Sequence, residues 1–257
     1  MPAPSVVELL WGTGRPPRRG PKPSLSTEVI VGAAIELADA EGMGGVSMQR
    51  VAERLGYTKM SLYRYIPGKA ELAALMLEAA MGAPPDLTAV QTLPREEPWR
   101  AGLRAWAEEI FRRYRAHPWT LELSTGVRPM GPHELGWLEA ALGVLAATPL
   151  TGPEQLDAVV VLNGHVRSLV QQAGVGSVDG LEEGLIEQMA EVMAIAGDRY
   201  PRVTAVMREQ STGGSERDDA LHFGIDRVLD GLAALIDRRE SRPSGGRNGR
   251  NRPTLGE

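Results

Sequence analysis

The stretch from Thr58 to Lys69 carries side chains that can bind a polyanion. Its cationic and hydroxyl-bearing residues include Lys59, Ser61, Tyr63, Arg64, Tyr65 and Lys69. Lysine and arginine pair with phosphates, whereas serine and tyrosine hydroxyls can contact a phosphate or the edge of a base. The same residues would also suit the solvated face of a helix in an ordinary bundle. The side chains alone leave both interpretations open.

Two short helices are predicted to position these side chains. The first has apolar residues at offsets of three, four and seven, namely Met48, Val51, Ala52 and Leu55. This spacing is typical of one buried helix face. Ser47 can cap that helix, and Gly56 permits the left-handed turn that ends it. A second helix is predicted to begin after Thr58 and to run to about Tyr65, before Pro67-Gly68 stops it. Two short helices with a tight glycine-containing turn form a helix-turn-helix unit.

Residues 26–82 resemble the N-terminal domain of the tetracycline-repressor (TetR) family. The resemblance depends on five short motifs in family order and spacing, which are Ala-Glu-Gly at 40–42, Val-Ser-Met at 46–48, Val-Ala-x-x-Leu-Gly at 51–56, Ser-Leu-Tyr-x-Tyr at 61–65 and Gly-Lys-x-Glu-Leu at 68–72. A looser resemblance to the family's C-terminal domain follows, most visibly in the segments WRAGLRAWAEEIFRRYRAHP and FGIDRVLDGLAALID.

The resemblance implies a role in DNA binding for particular residues. The positions that match phosphate or backbone contacts are Ser47, Thr58, Ser61, Tyr63 and Lys69. The positions that match base or groove contacts are Gln49, Lys59, Met60 and Tyr65. Many relatives have a cation that reads guanine at the position of Gln49, whereas glutamine favours adenine chemistry or loses the contact. Arg64 is a further phosphate candidate, while Arg50 and Arg54 are expected to be solvated or to act within the domain.

The chain as a whole is predicted to be all-α, with an N-terminal three-helix helix-turn-helix domain and a C-terminal helical domain for ligand binding and dimerisation. It has 257 residues, 42% of them hydrophobic and 5% aromatic, which suits two helical domains with a sizeable core. The predicted divisions are a flexible basic arm at 1–23, the DNA-binding domain at 24–83, the effector-binding and dimerisation domain at 95–240 and a disordered tail at 241–257. Within the arm, the hydrophobic residues near Val6 to Trp11 are expected to form a short segment that packs on the domain.

Periodicity predicts the remaining helices. Their expected ranges are 26–41, 69–81, 99–114, 119–123, 134–147, 154–173, 181–196, 200–207 and 219–238, with a loop at 211–218. The helix at 69–81 is expected to bury Leu72, Leu75, Met76 and Ala79. The helix at 134–147 is expected to bury Leu135, Leu138, Leu142 and Leu145.

Charge is unevenly distributed along the chain. The formal net charge is −5, which is unusual for a protein that binds a polyanion. However, residues 1–69 hold nine lysines and arginines against six acidic residues, whereas residues 70–237 hold 13 against 25. Because local charge governs contact with a polyanion, the basic N-terminal part remains suited to DNA.

The helices at 154–173 and 219–238 have wide apolar faces. One chain offers no partner for that much hydrophobic surface, and a two-fold dimer would bury it. The resemblance independently implies that these two helices pair with their copies in a second subunit as a four-helix bundle.

Candidate ligand contacts in the C-terminal part are Trp106, Trp119, Met130, His133, Trp137, His165, Arg167 and Gln171. Core packing or plain surface exposure is the alternative for each of them. An aromatic pocket with a few polar groups would suit a planar or lipophilic effector. No metal or other cofactor is expected, because the four histidines are isolated in sequence and the chain has no cysteine. The chain has no run of 18 apolar residues and no signal segment, so a cytoplasmic protein without a membrane span is expected.

Three hypotheses for function follow. The first is a homodimeric repressor that binds a palindromic double-stranded DNA operator and is released by a small-molecule effector, since each ligand favours a different conformation. The second is an activator, or a ligand-independent regulator, with the same fold. The third is an all-α enzyme or a protein that sequesters a small molecule. No Ser/His/Asp grouping, P-loop or GxGxxG motif supports an enzyme.

Overall fold

The computed structural model describes residues 4–12, 24–87, 97–173, 190–196, 199–212 and 220–241. Within these ranges the regular structure is helical and contains no β-strand, so the all-α prediction is confirmed. Residues 242–257 of the predicted C-terminal tail and the basic residues of the N-terminal arm at 13–23 lie outside the described ranges.

The N-terminal part contains five α-helices and one short 3₁₀ helix. They are α1 (Val6–Leu10), α2 (Thr27–Glu41), the 3₁₀ helix Met43–Gly45, α3 (Met48–Leu55), α4 (Lys59–Tyr63) and α5 (Lys69–Met81). Ser26, Ser47 and Thr58 each begin a helix, because each hydroxyl oxygen accepts a backbone N–H three residues on. Gly56 ends α3 in the left-handed conformation, with φ of 72°. The predicted helix-turn-helix is therefore formed by α3 and α4.

Helix α4 is shorter than the sequence predicts. It ends at Tyr63, after which the amides of Tyr65 and Ile66 both bond back to the carbonyl oxygen of Leu62. Leu62 and Ile66 are fully buried, so this tight turn places two apolar side chains in the core. Arg64 and Tyr65 consequently lie in the turn that follows the helix.

Helix α5 contributes side chains to two hydrophobic cores. Leu72, Met76 and Ala80 pack into the N-terminal core with α2 to α4, whereas Leu77 and Met81 pack into the core of the C-terminal domain. The prediction that Ala79 is buried was wrong, since it is exposed, and Leu75 is only half-buried. A single apolar face was assumed, but a helix between two cores buries two faces.

The C-terminal domain contains the longer helices. They are α6 (Pro98–Ala116), α7 (Thr120–Leu123), α8 (Pro132–Leu145), α9 (Gly152–Ala173), α10 (Pro201–Thr212) and α11 (Ala220–Glu240), and residues 190–196 are also helical. The predicted helices are confirmed where the structure describes them. The loop predicted at 211–218 was wrong at its first two residues, because α10 continues to Thr212, and residues 213–218 lie outside the described ranges.

Helix α8 buries most of the predicted stripe together with residues that were not predicted. Leu145 is buried and Leu138 and Leu142 are half-buried against the same core, whereas the prediction was wrong for Leu135, which is exposed. Trp137, Ala141 and Val144 form the rest of the inner face. A Cβ atom at Gly102 on α6 would lie 2.8 Å from a methyl carbon of Val144. Glycine at this position therefore allows α6 and α8 to approach closely.

Helices α6, α9 and α11 pack together as the centre of this domain. Arg104 on α6 pairs with Asp226 on α11 at 2.5 Å, and Arg100 pairs with Asp230 one turn further along α11. The ring of His165 on α9 covers Gly224 on α11, where a Cβ would lie 2.1 Å from a ring atom. No larger residue fits at Gly224 without displacing the imidazole.

Helix α1 packs against α5. Leu10 is buried, and the indole Nε1 of Trp11 donates a hydrogen bond of 3.2 Å to the carbonyl oxygen of Met130. Ser5 and Glu8 stabilise this short helix with reciprocal capping hydrogen bonds. The hydrophobic segment expected to pack on the domain is thus a helix that contacts both domains.

Candidate nucleic-acid interface and sensor interior

Helix α4 presents its polar face to solvent. Lys59, Met60, Tyr63 and Arg64 are exposed, with Met60 at 72% exposure, while Leu62 on the opposite side is fully buried. The short helix is therefore anchored by one side chain and free to enter a groove with the others. Of the side chains on this helix that are predicted to contact DNA, Lys59, Met60 and Tyr63 lie on the accessible side, whereas Ser61 is half-buried.

The capping hydroxyls also suit contact with phosphates. Ser47 and Thr58 use an oxygen lone pair to accept the backbone N–H of Arg50 and Ser61, at 3.2 and 3.3 Å. An accepting hydroxyl retains its own hydrogen as a donor. Thr58 Oγ1 lies 2.9 Å from Ser61 Oγ, so one of these two hydroxyls remains free to donate to a phosphate.

Two lysines lie at the borders of this surface. The Nζ atom of Lys59 lies 5.6 Å from the centre of the Tyr63 ring, a cation–π arrangement that holds both side chains on one side of α4. Lys69 is exposed in the first turn of α5, with its Nζ 3.5 Å from the carbonyl oxygen of Met43. A helix N-terminus and a lysine together favour the binding of an anion.

Gln49 is exposed on α3 and already has a partner. Its Nε2 donates a hydrogen bond of 2.6 Å to Oε1 of Glu53, one turn further along the helix. The amide must leave this carboxylate before it can form two hydrogen bonds with a base. Contact between Gln49 and a base therefore stays a prediction, and it would require this hydrogen bond with Glu53 to break.

Arg50 and Arg54 have roles within the domain, as one of the two alternatives predicted. Arg50 forms two hydrogen bonds of 2.6 Å with Glu41 and a third, of 2.9 Å, with the carbonyl oxygen of Gly45. The hydrogen bond from Arg50 lowers the pKa of Glu41 below its usual value. Arg54 pairs with Glu36 on α2 at 2.7 Å. These arginines fix α3 against α2.

Tyr57 was missed by the sequence analysis. It is exposed in the turn between α3 and α4, and its hydroxyl donates a hydrogen bond of 2.9 Å to Oγ of Ser24. This hydrogen bond fixes Ser24, the first described residue before α2, beside the helix-turn-helix. No periodicity could reveal a pair separated by 33 residues. Tyr65, by contrast, is half-buried and packs against the N-terminal core.

The three tryptophans predicted as ligand contacts are buried, and each indole N–H has a partner. Trp106 donates to the carbonyl oxygen of Trp137 at 2.9 Å, and Trp137 donates to that of Gly82 at 2.9 Å. The rings of Trp106 and Trp137 are edge-to-face, with centroids 6.2 Å apart. Trp119 lies in the N-terminal core instead and donates to Asp39. The structure therefore brings only two of the three together.

Two family models match the chain. Residues 30–76 match the model described as "Bacterial regulatory proteins, tetR family". Residues 93–236 match the model described as "Tetracyclin repressor-like, C-terminal domain", which alone spans more than half of the 257 residues. The chain belongs to the tetR family. It is a DNA-binding transcriptional regulator.

Similar proteins agree with this assignment. The transcriptional repressor DrrR1 of Streptomyces coeruleorubidus is 39% identical over 254 residues, covering 93% of this chain and 89% of that protein. The structure of SCO7222, a TetR from Streptomyces coelicolor, is 28% identical, with a TM-score of 0.63, over 82% of this chain and 99% of that chain. ActR of Streptomyces coelicolor, in complex with actinorhodin, has the same fold at 19% identity, with a TM-score of 0.66, over 82% of this chain and 97% of that chain.

The remaining predicted ligand contacts of this tetR-family chain are scattered. Met130 is exposed, and His133 is half-exposed, with its Nδ1 2.9 Å from the carbonyl oxygen of Glu78. His165 is half-buried, with its Nε2 3.1 Å from the carbonyl oxygen of Leu221. Gln171 is exposed near the end of α9. Their contact with a ligand stays a prediction.

Arg167 lies in a polar cluster that the sequence analysis only partly anticipated. Its guanidinium contacts Ser124 Oγ and the carbonyl oxygen of Leu121, and lies 5.8 Å from the Tyr114 ring centre. Burial raises the pKa of the Tyr114 hydroxyl, and the positive charge of Arg167, followed by hydrogen bonding to Arg167 and Asn163, offsets part of that rise. The sequence did not point to Tyr114 and Asn163, because each is a single polar residue within a helix that was interpreted from its apolar positions.

Two atoms near this cluster lack a hydrogen bond. Among the described residues, Oδ1 of Asn163 and Nε of Arg128 are buried without a partner. Buried polar groups normally have partners, so these two atoms are suited to a ligand with complementary groups. Arg128 also pairs with Glu134 at 2.6 Å. Over the part of the chain that the structure describes, no helix is long and apolar enough to cross a membrane, and no cluster of potential metal ligands occurs.

Proposed function

We propose that this protein is a homodimeric repressor whose α3 and α4 helices bind a palindromic operator, and that a small molecule in the C-terminal domain releases it. One observation carries the proposal, namely that α4 exposes Lys59, Tyr63 and Arg64 to solvent while Leu62 alone is buried. A similar protein, DrrR1, is itself named a repressor. The chain would act in the cytoplasm, by binding and not by catalysis.

The dimer is supported by apolar residues that a single chain leaves uncovered. Leu156, Val160 and Val161 on α9 are 45%, 67% and 56% exposed, and Phe223 on α11 is 57% exposed. The opposite sides of α9 and α11 pack on the core of their own domain. A second copy related by a two-fold axis would cover these residues and form a four-helix bundle. It would also place the two α4 helices on one face, as two half-sites about 34 Å apart require.

The effector site is proposed at the polar cluster between α6, α8 and α9. Tyr114, Arg128, Asn163 and Arg167 supply donors and acceptors there, and the paired rings of Trp106 and Trp137 lie in the same core. A planar or lipophilic effector with one hydroxyl and one carbonyl group would satisfy Asn163 Oδ1 and Arg128 Nε. Apolar walls with a few fixed polar groups are typical of small-molecule sites.

A reporter assay separates this proposal from an activator of the same fold. The promoter upstream of the protein's own gene would drive the reporter, with and without the protein. A repressor lowers the signal, and Lys69→Ala raises it again, whereas an activator gives the opposite signs. Equal signal in all three strains would contradict regulation of this promoter.

A further inference from the structure

Glu78 is a buried carboxylate on the helix that joins the two domains. It is 7% exposed, although glutamate is among the residue types least often buried. It lies on α5 between Leu77, which packs into the C-terminal core, and Ala80, which packs into the N-terminal core. A buried charge at this position needs a compensating partner.

The partner is the first turn of α8. Oε1 of Glu78 accepts the backbone N–H of His133 at 2.5 Å, and Oε2 lies 3.4 Å from the backbone nitrogen of Glu134. The cap residue of α8 is Gly131, which has no side chain to accept these amides. Glu78 thus caps α8 from another helix, where unpaired N–H groups and the helix dipole favour a negative charge.

Two more contacts join the C-terminal end of α5 to α8. The ring Nδ1 of His133 lies 2.9 Å from the carbonyl oxygen of Glu78, and the indole of Trp137 donates to the carbonyl oxygen of Gly82 at 2.9 Å. The C-terminal end of α5 is therefore held to α8 by side chains from both helices. The N-terminal end of α5 begins at Lys69, after the turn that ends α4.

Helix α8 also borders the polar cluster. Glu134, next to the amide that Glu78 caps, pairs with Arg128, and Val144 further along α8 packs on Gly102 of α6. A shift of α8 would move the Glu78 carboxylate with its amides. Because α5 packs on α2 and shares the N-terminal core with Leu62 of α4, that movement would change the tilt of α5 and shift the core that holds α4.

We propose that Glu78 is a positioning residue that sets the tilt of α5, and with it the orientation of α4, according to the position of α8. The proposal rests on the proposed function in that α4 is taken as the DNA reader. The contact between the Glu78 carboxylate and the first turn of α8 does not depend on the presence of DNA or effector.

The test measures the distance between α4 and α8 within one subunit. The chain has no cysteine, so spin labels at Met60→Cys and Glu139→Cys, both exposed positions, report on α4 and α8 alone. Labelled protein is mixed with excess unlabelled protein, so that distances between subunits do not contribute. Pulsed electron resonance then gives the distance distribution. Operator affinity is measured separately on unlabelled protein that retains Met60 and Glu139, because Met60 lies on the proposed DNA-binding surface.

Three variants are compared with the original chain. Glu78→Ala removes both acceptors and is expected to broaden or shift the distance distribution and to change operator affinity by about 5- to 150-fold, the usual range of allosteric coupling. Glu78→Gln keeps one acceptor oxygen, so its distance distribution and operator affinity should lie between those of Glu78→Ala and the original chain. Glu122→Gln, an exposed carboxylate on α7, is the control for lost charge and should change neither quantity.

A second route displaces the carboxylate without removing it. A Cβ at Gly131 would lie 2.2 Å from Oε2 of Glu78, and the backbone there, with φ of −86°, accepts alanine. Gly131→Ala should therefore reproduce the change in distance even if Glu78→Ala does not fold. Unchanged distances in folded Gly131→Ala and Glu78→Ala would overturn the proposal. Absence of operator binding by the original chain, with the distance changes intact, would contradict the proposed function only.

Discussion

The indole Nε1 of Trp119 donates a hydrogen bond of 2.7 Å to Oδ1 of Asp39, across the boundary between the two domains. Trp119 follows α6, but its ring is 4% exposed within the N-terminal core. Nδ1 of His117 lies 2.8 Å from the same oxygen of Asp39. The corner between α6 and α7 is thus fixed to α2 of the DNA-binding domain.

Asp39→Ala is expected to destabilise the protein by about 1–3 kcal/mol, because the buried indole N–H of Trp119 loses its acceptor. Asp39→Asn retains an acceptor oxygen at the same place and should lose less stability than Asp39→Ala. The free energy of unfolding from urea denaturation measures both effects. Equal stability of Asp39→Ala and the original chain would show that this hydrogen bond does not hold the domains together.

Gly224→Ala is expected to destabilise the packing of α9 on α11 by about 1–3 kcal/mol. The new methyl group would overlap the His165 ring, which must move and give up its contact with the carbonyl oxygen of Leu221. Gly143→Ala on α8 is the matched control, since nothing lies within 4 Å of its Cβ position. That control should gain up to about 1 kcal/mol from helix propensity. A stabilised Gly224→Ala variant would contradict the close approach of these helices.

Glu154 should contribute stability that is lost in acid. Hydrogen bonds from the Thr151 backbone and from Arg239 lower the pKa of Glu154 from 4.5 to about 2. A depressed carboxyl pKa stabilises the folded state above the unfolded value of 4.5, and the contribution disappears as pH falls towards 2. The Tm difference between the original chain and Glu154→Gln should therefore be constant above pH 5 and shrink below pH 4.5. A difference that does not vary with pH would argue against this pair, and Glu139→Gln controls for charge loss at an exposed site.

Val160→Asp is expected to weaken the dimer by on the order of tenfold or more, because a two-fold interface would bury the new charge twice without a partner. Val127→Asp is the control, since Val127 is fully exposed in the loop before α8. Sedimentation velocity over a range of protein concentrations measures the dimerisation of both variants. If Val160→Asp remained as dimeric as the control, the proposed α9 and α11 interface would be wrong.

The sequence was informative where structure is local. Ser47, Thr58 and Gly56 begin and end helices through bonds that span three or four residues, so their roles follow from spacing alone. Helix burial was less predictable. Ala79 and Leu135 were assigned to buried faces and are exposed, because α5 and α8 each contact several neighbours and one apolar stripe does not describe them.

Contacts between distant residues could not be predicted. Glu78 and His133 are 55 positions apart, and Trp119 and Asp39 are 80 apart. No periodicity links such pairs, and a glutamate on a helix normally indicates a solvated face. The candidate DNA surface could be proposed from the sequence because its residues lie on or beside two adjacent helices. The proposed effector site combines side chains from α6, α8, α9 and the loop before α8, which meet only after folding.

Operator binding by the Tyr63→Ala, Lys69→Ala double variant tests the central claim most directly. Fluorescence anisotropy with labelled DNA from upstream of the protein's own gene, at several salt concentrations, gives the affinity and its salt dependence. The original chain should bind this DNA more tightly than unrelated DNA, and the double variant should lose the specific complex while remaining folded and dimeric. Unchanged binding by the double variant would show that the surface formed by α3 and α4 is not the DNA reader.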